Sequence, residues 1–466
     1  MKYLFIILLA IPATSRSQTL EGTWMGKIQG VLPIVFHFSK QPTMDSPQQG
    51  AFGLAIQSVT LNGDSLQCTI NAPKASYVAV RVNDTTFKGY WIQGTARIPL
   101  DIHPQPATAT VAIVTHPQTP HPPYPYHSDS VEYDNAAKTV HLGATLTYPE
   151  TGGPFPVAVL ITGSGIQDRD ETLLGHKPFA VIADYLTKRG YAILRVDDRT
   201  AGLSTGDVQK ATTADFANDV ETSLAYLKTR KEIDTTRMGL IGHSEGAMIA
   251  PMVAARDPWI AFIILLAGPA EGGRATMLYQ VARPAEMAGA SKAEVQYSRA
   301  LEGILLDEVV KAKDQNELIT TVDSSYRNRI LPLADSLRVP ADKIESPEQL
   351  QTTLKQQGRI LLSPWYRFFI AYDPAPDFAR LRCPILALGG DKDFQVHNAK
   401  DFEVMQQIVN PAEKAKLETH LLPGLNHLFQ HCKTCEFSEY GQLSETFSPE
   451  ALQIMGDWMD KHVRSL

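Results

Sequence analysis

The chain has 466 residues and is poor in several things. Its four cysteines, at 68, 383, 432 and 435, are too few for a disulfide scaffold. Charged residues make up only 20%, and 43 Lys and Arg stand against 50 Asp and Glu, so no basic footprint for nucleic acid exists. The apolar run Tyr3–Pro12 is too short to span a bilayer. No glycine-rich phosphate loop follows a first strand, which speaks against a nucleotide-dependent enzyme. Apolar residues nevertheless reach 44%, excluding disorder over the whole length and leaving enough chain for two or three domains.

The start of the chain sets an expectation of compartment. Lys2 precedes the short apolar run, and Ser15 and Ser17 occupy the −3 and −1 positions for a cut before Gln18. Residues 1–17 thus read as a secretory signal peptide, which implies export to the periplasm or beyond and no membrane segment once it is removed. No cysteine sits at the cut to carry a lipid anchor.

Residues 18–115 read as an all-β module. Val35-Phe36-His37-Phe38 and Val78-Ala79-Val80-Arg81-Val82 alternate with period two, and Asn62-Gly63-Asp64 and Asn83-Asp84 are turn signals. A small antiparallel sheet or barrel follows. Residues 116–127 (HPQTPHPPYPYH) are dense in proline and predict a stiff, solvated linker whose histidines do not converge on a metal.

Beyond it, from 128 to 466, strands alternate with helices. Val131–Tyr133 and Val140–Thr147 predict a hairpin, and Pro156–Thr162, Ala192–Val196, Met238–Ile241, Ala261–Leu266 and Pro384–Leu388 are short apolar runs. Such runs suit strands buried on both faces of a mostly parallel sheet, closed by Lys416–Leu422. Phe216, Val220, Leu224 and Leu227 share one helix face behind Thr212-Thr213, and Ser448-Pro449-Glu450 opens a last helix. The reading is an eight-stranded doubly wound α/β sheet. A stretch of about 272–378 is helical in pattern without a strand, and reads as a cap inserted over the site.

One motif carries chemistry. The strand Met238–Ile241 runs into Gly242-His243-Ser244-Glu245-Gly246 and then a helix, which is G-x-S-x-G in the strand–turn–helix setting it requires. The glycines are needed because side chains there collide across a strained turn that lifts Ser244 Oγ above the sheet. A serine needs a base and an orienting carboxylate, which follow such an elbow in the order acid, then histidine. The acid should end the strand Pro384–Leu388, where Asp391 and Asp393 both stand. The base should follow the last strand, where His427 lies in a turn-rich loop with His431 as a local rival. Oxyanion donors are expected from the backbone N–H of Glu245 and from the loop Gly163-Ser164-Gly165, at Ser164 with Gly165 as the alternative.

The segments GSGIQDRD, RVDDRTAGLS, GHSEG, GGDKDFQV and GLNH, in that order, resemble the α/β-hydrolase superfamily, and within it secreted bacterial serine esterases of the esterase-D (EstD-like) branch, near the serine aminopeptidase-like hydrolases. The resemblance runs from about Val131 to the C-terminus, and the N-terminal β module is similar to the companion domain of some members. It implies the α/β-hydrolase fold, with Asp393 at the last position of G-x-K-D as the acid. It implies hydrolysis of a small carboxylic ester through Ser244, His427 and Asp393 with no cofactor or metal. A peptidase or aminopeptidase with the same triad is the alternative within enzymes, and a surface-binding protein with a vestigial hydrolase domain is the alternative outside them. Thr200 stands where the family's D-D-R-G-x-G-x-S has glycine, and Ala247 where a second glycine often follows the elbow.

The remaining features have quieter readings. Cys432-Lys433-Thr434-Cys435 suits a local disulfide pinning the histidine loop better than a zinc site, and Cys68 and Cys383 read as buried free thiols. Asp168, Arg169, Asp198 and Arg199 are expected to pair with one another and fix the oxyanion loop. Trp365, Phe368 and Phe369 read as a helix face of the cap core or a wall of the acyl pocket.

Overall fold

A computed structural model of the chain describes residues 20–28, 32–46, 51–71, 74–93, 96–105, 115–409 and 415–464. The signal peptide expected over 1–17 lies outside them. The chain divides into two compact units, Met1–Val114 and Thr115–Leu466.

In the first unit eight antiparallel strands close into a barrel: Gly22–Ile28 (β1), Leu32–Phe38 (β2), Thr43–Ser46 (β3), Ala51–Asn62 (β4), Ser65–Ile70 (β5), Ala75–Asn83 (β6), Thr86–Gln93 (β7) and Ala96–Gln105 (β8). Closure comes from β1 pairing with β8, which leaves no free sheet edge. Period-two alternation decides what points inward: Leu66, Cys68 and Ile70 of β5 and Ala75, Tyr77 and Ala79 of β6 are buried. Trp24, Phe36, Tyr77, Phe87 and Ile102 fill the interior, and the Tyr77 hydroxyl donates to Leu100 O at 3.0 Å.

The second unit carries eight more strands. They are Tyr126–Asp134 (β9), His141–Pro149 (β10), Phe155–Ile161 (β11), Ala192–Val196 (β12), Ile233–His243 (β13), Phe262–Leu266 (β14), Ile385–Gly390 (β15) and Leu417–Leu422 (β16). They form one sheet in the order β16-β15-β14-β13-β11-β12-β10-β9, antiparallel at the β9–β10–β12 end and parallel from β12 to β16. The near-continuous apolar runs make sense here, because both faces of the central strands are covered. Phe262–Leu266 is buried at every position.

Helices supply that cover: Pro178–Lys188 (α1), Thr213–Leu227 (α2) and Gly246–Arg256 (α3) among the strands. Between β14 and β15 comes a run of Gly273–Met287 (α4), Lys292–Lys311 (α5), Gln315–Ser325 (α6), Leu331–Leu337 (α7), Pro347–Leu361 (α8), Pro364–Ala371 (α9) and Ala375–Phe378 (α10). Asn398–Ile408 (α11), Phe437–Tyr440 (α12) and Pro449–His462 (α13) follow. The capping residues act as the sequence suggests. Thr212 and Asp215 form a reciprocal capping box on α2, and Ser448 accepts from Ala451 N with Pro449 in the first turn of α13. The run from α4 to α9 has its own core around Leu306, Val309, Leu318, Tyr326 and Leu354. No helix among the described residues is long and apolar enough to cross a membrane.

The proline-rich segment departs from expectation. Residues from Thr115 onward belong to the second unit, with the His116 ring 4.0 Å from that of His176. The Gln118 amide donates to Phe447 O at 2.6 Å and accepts from Thr446 N and Phe447 N at 2.6 and 3.1 Å. A turn from His116 to Thr119 presents Gln118, which fastens the start of the segment to the backbone ahead of α13. The segment is docked at this end, while His121, Pro122, Pro123 and Pro125 are exposed.

Candidate active site

The parallel strands end on one side of the sheet, where open α/β sheets bind their ligands. Strand β13 ends at His243, and the chain turns at Ser244, whose φ of 54° is a left-handed value that costs a serine energy. A Cβ on Gly242 would lie 2.1 Å from Gly246 O, and one on Gly246 would lie 2.1 Å from Ile161 O. Both positions must therefore be glycine for the turn to close against β11. Helix α3 starts immediately after it, so its unpaired N–H groups and positive dipole end face the serine.

The candidates for acid and base follow the next strands. Asp393 follows β15 and is 2% exposed; its Oδ1 accepts from Gln395 N at 2.7 Å and Val396 N at 3.0 Å. Its Oδ2 accepts from Asn398 Nδ2 at 3.0 Å and from His427 Nδ1 at 2.8 Å. Four donors on one carboxyl fix Nδ1 as the protonated nitrogen of His427 and leave Nε2 free to act as a base. Asp391, the other candidate, turns away and accepts from Gly424 N at 2.7 Å. His431 pairs with Glu445 at 2.9 Å, so neither rival shares the His427–Asp393 contact. The structure brings His427 to the elbow, its ring 4.8 Å from that of His243. No hydrogen bond joins Ser244 Oγ to His427 among the described residues; such contacts commonly tighten only when substrate is bound.

The loop expected to supply an oxyanion donor follows β11. A Cβ on Gly163 would sit 3.2 Å from Ser244 Cβ, so this loop lies directly against Ser244. Gly163 N donates to Glu171 Oε1 at 2.7 Å, whereas the N–H groups of Ser164 and Glu245 have no acceptor within the described protein. Gly165, the alternative to Ser164, holds φ at 103°, which gives the loop its turn.

The charges around the loop pair differently from expectation. Arg169 does not meet Asp168 or Asp198; its backbone N and Nε donate to Asp197 Oδ1 at 2.8 and 3.1 Å. Asp198 instead accepts from Thr162 Oγ1 and Gln167 N, both at 2.8 Å. Burial, with the charges of Glu171 and Glu245 adding to it, pushes the Asp198 carboxyl up to about 7 against those two hydrogen bonds. Arg199 leaves the loop for Asp219 of α2 at 2.7 Å. Thr200 takes φ of 73°, the conformation that a glycine would adopt more cheaply. Ala247 fits inside the first turn of α3, 1% exposed.

Two groups at the elbow escaped the sequence reading. His243 Nδ1 lies 2.8 Å from Glu171 Oε1, and its Nε2 donates to His427 O at 3.0 Å. Burial disfavours the charged ring, but Glu171, the His427 carbonyl and Asp393 outweigh it and raise the His243 pKa above its ordinary value. His243 thus links the oxyanion loop, through Glu171, to the loop of the base. The Glu245 carboxyl, 2% exposed, accepts from Thr213 Oγ1 at 2.7 Å and from Trp365 Nε1 at 2.9 Å. The signal for both was present: charged or titratable residues inside an elbow that must be buried need partners. Phe369, by contrast, is buried in the core of the inserted helices.

Cys432 and Cys435 form a disulfide just beyond His427, where Cys432 N donates to Gly424 O at 3.1 Å. Cys68 and Cys383 are buried and free, with burial pushing both thiols up to about 12. No group of three His, Cys, Asp or Glu among the described residues is arranged to hold a metal ion.

A sheet of this order, with a serine on a glycine-flanked elbow and an Asp–His pair delivered by its last two strands, has the architecture of the α/β-hydrolase fold. The sequence model of the serine aminopeptidase S33 family (Hydrolase_4) matches residues 177–347. The chain is similar to Esterase EstD of Thermotoga maritima, 28% identical over 307 residues that cover 65% of this chain. It spans 62% of that relative's length. Solved structures are more remote. An esterase of Pyrococcus furiosus is 15% identical with a TM-score of 0.42, covering 72% of this chain and 92% of its own. Est1E of Butyrivibrio proteoclasticus, solved with ferulic acid bound, is 15% identical with a TM-score of 0.40, covering 72% and 99%. Likenesses this distant bear on neither substrate nor mechanism.

Proposed function

We propose that the chain is a serine hydrolase that cleaves small carboxylic esters. The observation that carries this reading is the buried 2.8 Å contact of His427 Nδ1 with Asp393 Oδ2 beside the strained Ser244 elbow. The similarity to an esterase supports it.

The geometry supports the following proposed steps. Ser244 Oγ attacks the ester carbonyl, and His427 Nε2 takes its proton as the C–O bond forms. Asp393 accepts the Nδ1 hydrogen and stabilises the imidazolium. Negative charge on the carbonyl oxygen is met by the N–H groups of Glu245 and Ser164, helped by the positive end of α3. Collapse of the tetrahedral intermediate breaks the bond to the alkoxy oxygen, which receives the proton from His427. Water, deprotonated by His427, then attacks the acyl-Ser244 ester and releases the carboxylic acid with Ser244 restored.

A second reading, hydrolysis of an aminoacyl amide by the same groups, is favoured by the S33 aminopeptidase match over 177–347. The triad does not discriminate the two, because selectivity lies in the pocket. The test is a panel of short p-nitrophenyl esters and aminoacyl p-nitroanilides, with fluorophosphonate labelling of wild type and Ser244→Ala. Ester turnover and labelling that vanish in Ser244→Ala are expected. Unlabelled wild-type protein would sink the hydrolase assignment in favour of a binding protein, and amide turnover exceeding ester turnover would select the second reading. The same proposal places the mature chain outside the cytoplasm, and the N-terminal residue of the exported protein checks this: Gln18 is expected.

A further inference from the structure

The mechanism above uses the backbone of Glu245 and leaves its side chain unexplained. A carboxyl that is 2% exposed has to be held by donors, and here they come from two separate helices, with a third element beside it. Thr213 Oγ1, in the first turn of α2, donates to Oε1 at 2.7 Å. Trp365 Nε1, on α9 of the inserted helices, donates to Oε1 at 2.9 Å and to Oε2 at 3.1 Å. The hydroxyl of Ser164, on the oxyanion loop, faces the same carboxyl. Burial raises the pKa of this carboxyl, and Thr213, Trp365 and Ser164 oppose that rise.

The loop needs such support. A cavity of about 50 Å³ is lined by Thr162, Gly163, Gly165, Asp198, Phe216 and Glu245, so packing does not fill the space beside the loop. Ser164, Gly165 and Ile166 are exposed on its other side. Between solvent and a void the loop is held by polar contacts: Gly163 N reaches the elbow through Glu171 and His243, and Ser164 reaches it through the Glu245 side chain.

We propose that the Glu245 carboxyl is a positioning group that couples the helical cap to the oxyanion hole: Trp365 holds Glu245, and Glu245 holds Ser164. The residue after the nucleophile then acts twice, by its N–H on the oxyanion and by its carboxyl on the residue that bears the other donor. The cap is in consequence part of the catalytic geometry as well as a roof over the pocket. This coupling rests on the esterase reading for its kinetic effect, but not for its structural one.

The test uses the full chain and the variants Trp365→Phe, Glu245→Gln and their combination. Trp365→Phe keeps an aromatic ring and removes the indole donor; Glu245→Gln keeps the size and one acceptor oxygen. Each single variant is expected to lower kcat on p-nitrophenyl acetate about tenfold, below the full effect of deleting an oxyanion donor, with KM within twofold. The double variant should be no slower than the slower single, because both break one chain of contacts. Amide hydrogen exchange at residues 163–170 should rise in all three variants. Wild-type kcat in Trp365→Phe, or losses that multiply in the double variant, would overturn the coupling. Should wild type itself lack ester turnover, the esterase reading falls, and exchange at 163–170 alone decides the coupling: unchanged exchange overturns it. Should Trp365→Phe fail to fold, Glu245→Gln decides by the same two readouts.

Discussion

Inside the barrel the buried side chains are mostly aromatic and aliphatic, with Ser46, Cys68 and Thr86 besides, and among its described residues no charged side chain is buried. At the carboxyl ends of the parallel strands the second unit buries Glu171, Asp197, His243, Glu245, Asp393, Asp401 and His427. The cores of both units obey the same packing rules, yet one avoids the desolvation of charge and the other concentrates it. Each buried charge in the second unit is held by backbone N–H groups or by a partner from another element. The difference teaches where the fold carries its chemistry. A barrel filled by Trp24, Phe36, Tyr77 and Phe87 has only its surface with which to act, whereas the sheet has a prepared polar interior.

This contrast can be broken or sharpened by substitution. The largest effect is expected from Ser244→Ala, which should lower ester turnover by roughly 10⁴ or more with the circular dichroism spectrum unchanged. Asp393→Asn comes next, at about 10³ to 10⁴ in kcat, because the amide sets the wrong hydrogen on His427 Nδ1. In the barrel, Phe87→Ala should cost about 3–5 kcal/mol of that unit's stability, seen in denaturant unfolding, while ester turnover stays within twofold. A tenfold loss of turnover there would show that the barrel shares in the chemistry, and the comparison would fail.

The smallest effect concerns a buried carboxyl away from the reacting atoms. Asp401 Oδ1 accepts from Ala270 N at 2.6 Å and Glu271 N at 2.8 Å, fixing the entry to the inserted helices. Burial, aided by the charges of Glu271 and Asp393, pushes it up to about 7 against those two hydrogen bonds. The folded chain therefore binds this proton more tightly than the unfolded chain, and stability declines as pH rises from about 4 to about 7. Asp401→Asn keeps the accepting oxygen and cannot ionise. Thermal unfolding across pH 5 to 8 should show wild type losing on the order of 2–4 kcal/mol relative to the variant. Parallel curves would refute the assignment.

Much of this architecture was legible in the sequence. Ala192–Val196 is a strand with the bounds its apolar run suggests, and Pro156–Thr162 is shifted by one residue to Phe155–Ile161. Such runs are decided locally, by which side chains need burial on both faces. The elbow was legible because steric demands at Gly242 and Gly246 leave a mark in the sequence. Partnerships across the fold were not. Nothing near Arg169 distinguishes Asp197 from Asp198, since both adjoin the same strand end and only the path of the loop decides. Trp365 and Glu245 lie 120 residues apart, and a tryptophan in an aromatic stretch reads as core until its N–H is located. Gln118 in a proline-rich segment carries no local sign that its amide meets backbone 329 residues later.

The order of the strands has a consequence for the making of the protein. His243 and His427, whose carbonyl it contacts, are 184 residues apart in the chain, with the whole helical insertion between them. At about 5–20 residues per second, a ribosome completes the elbow roughly 10–40 s before it reaches His427. On the proposed mechanism the chain holds its serine without its base until that point, and a product truncated before β16 is expected to be inert.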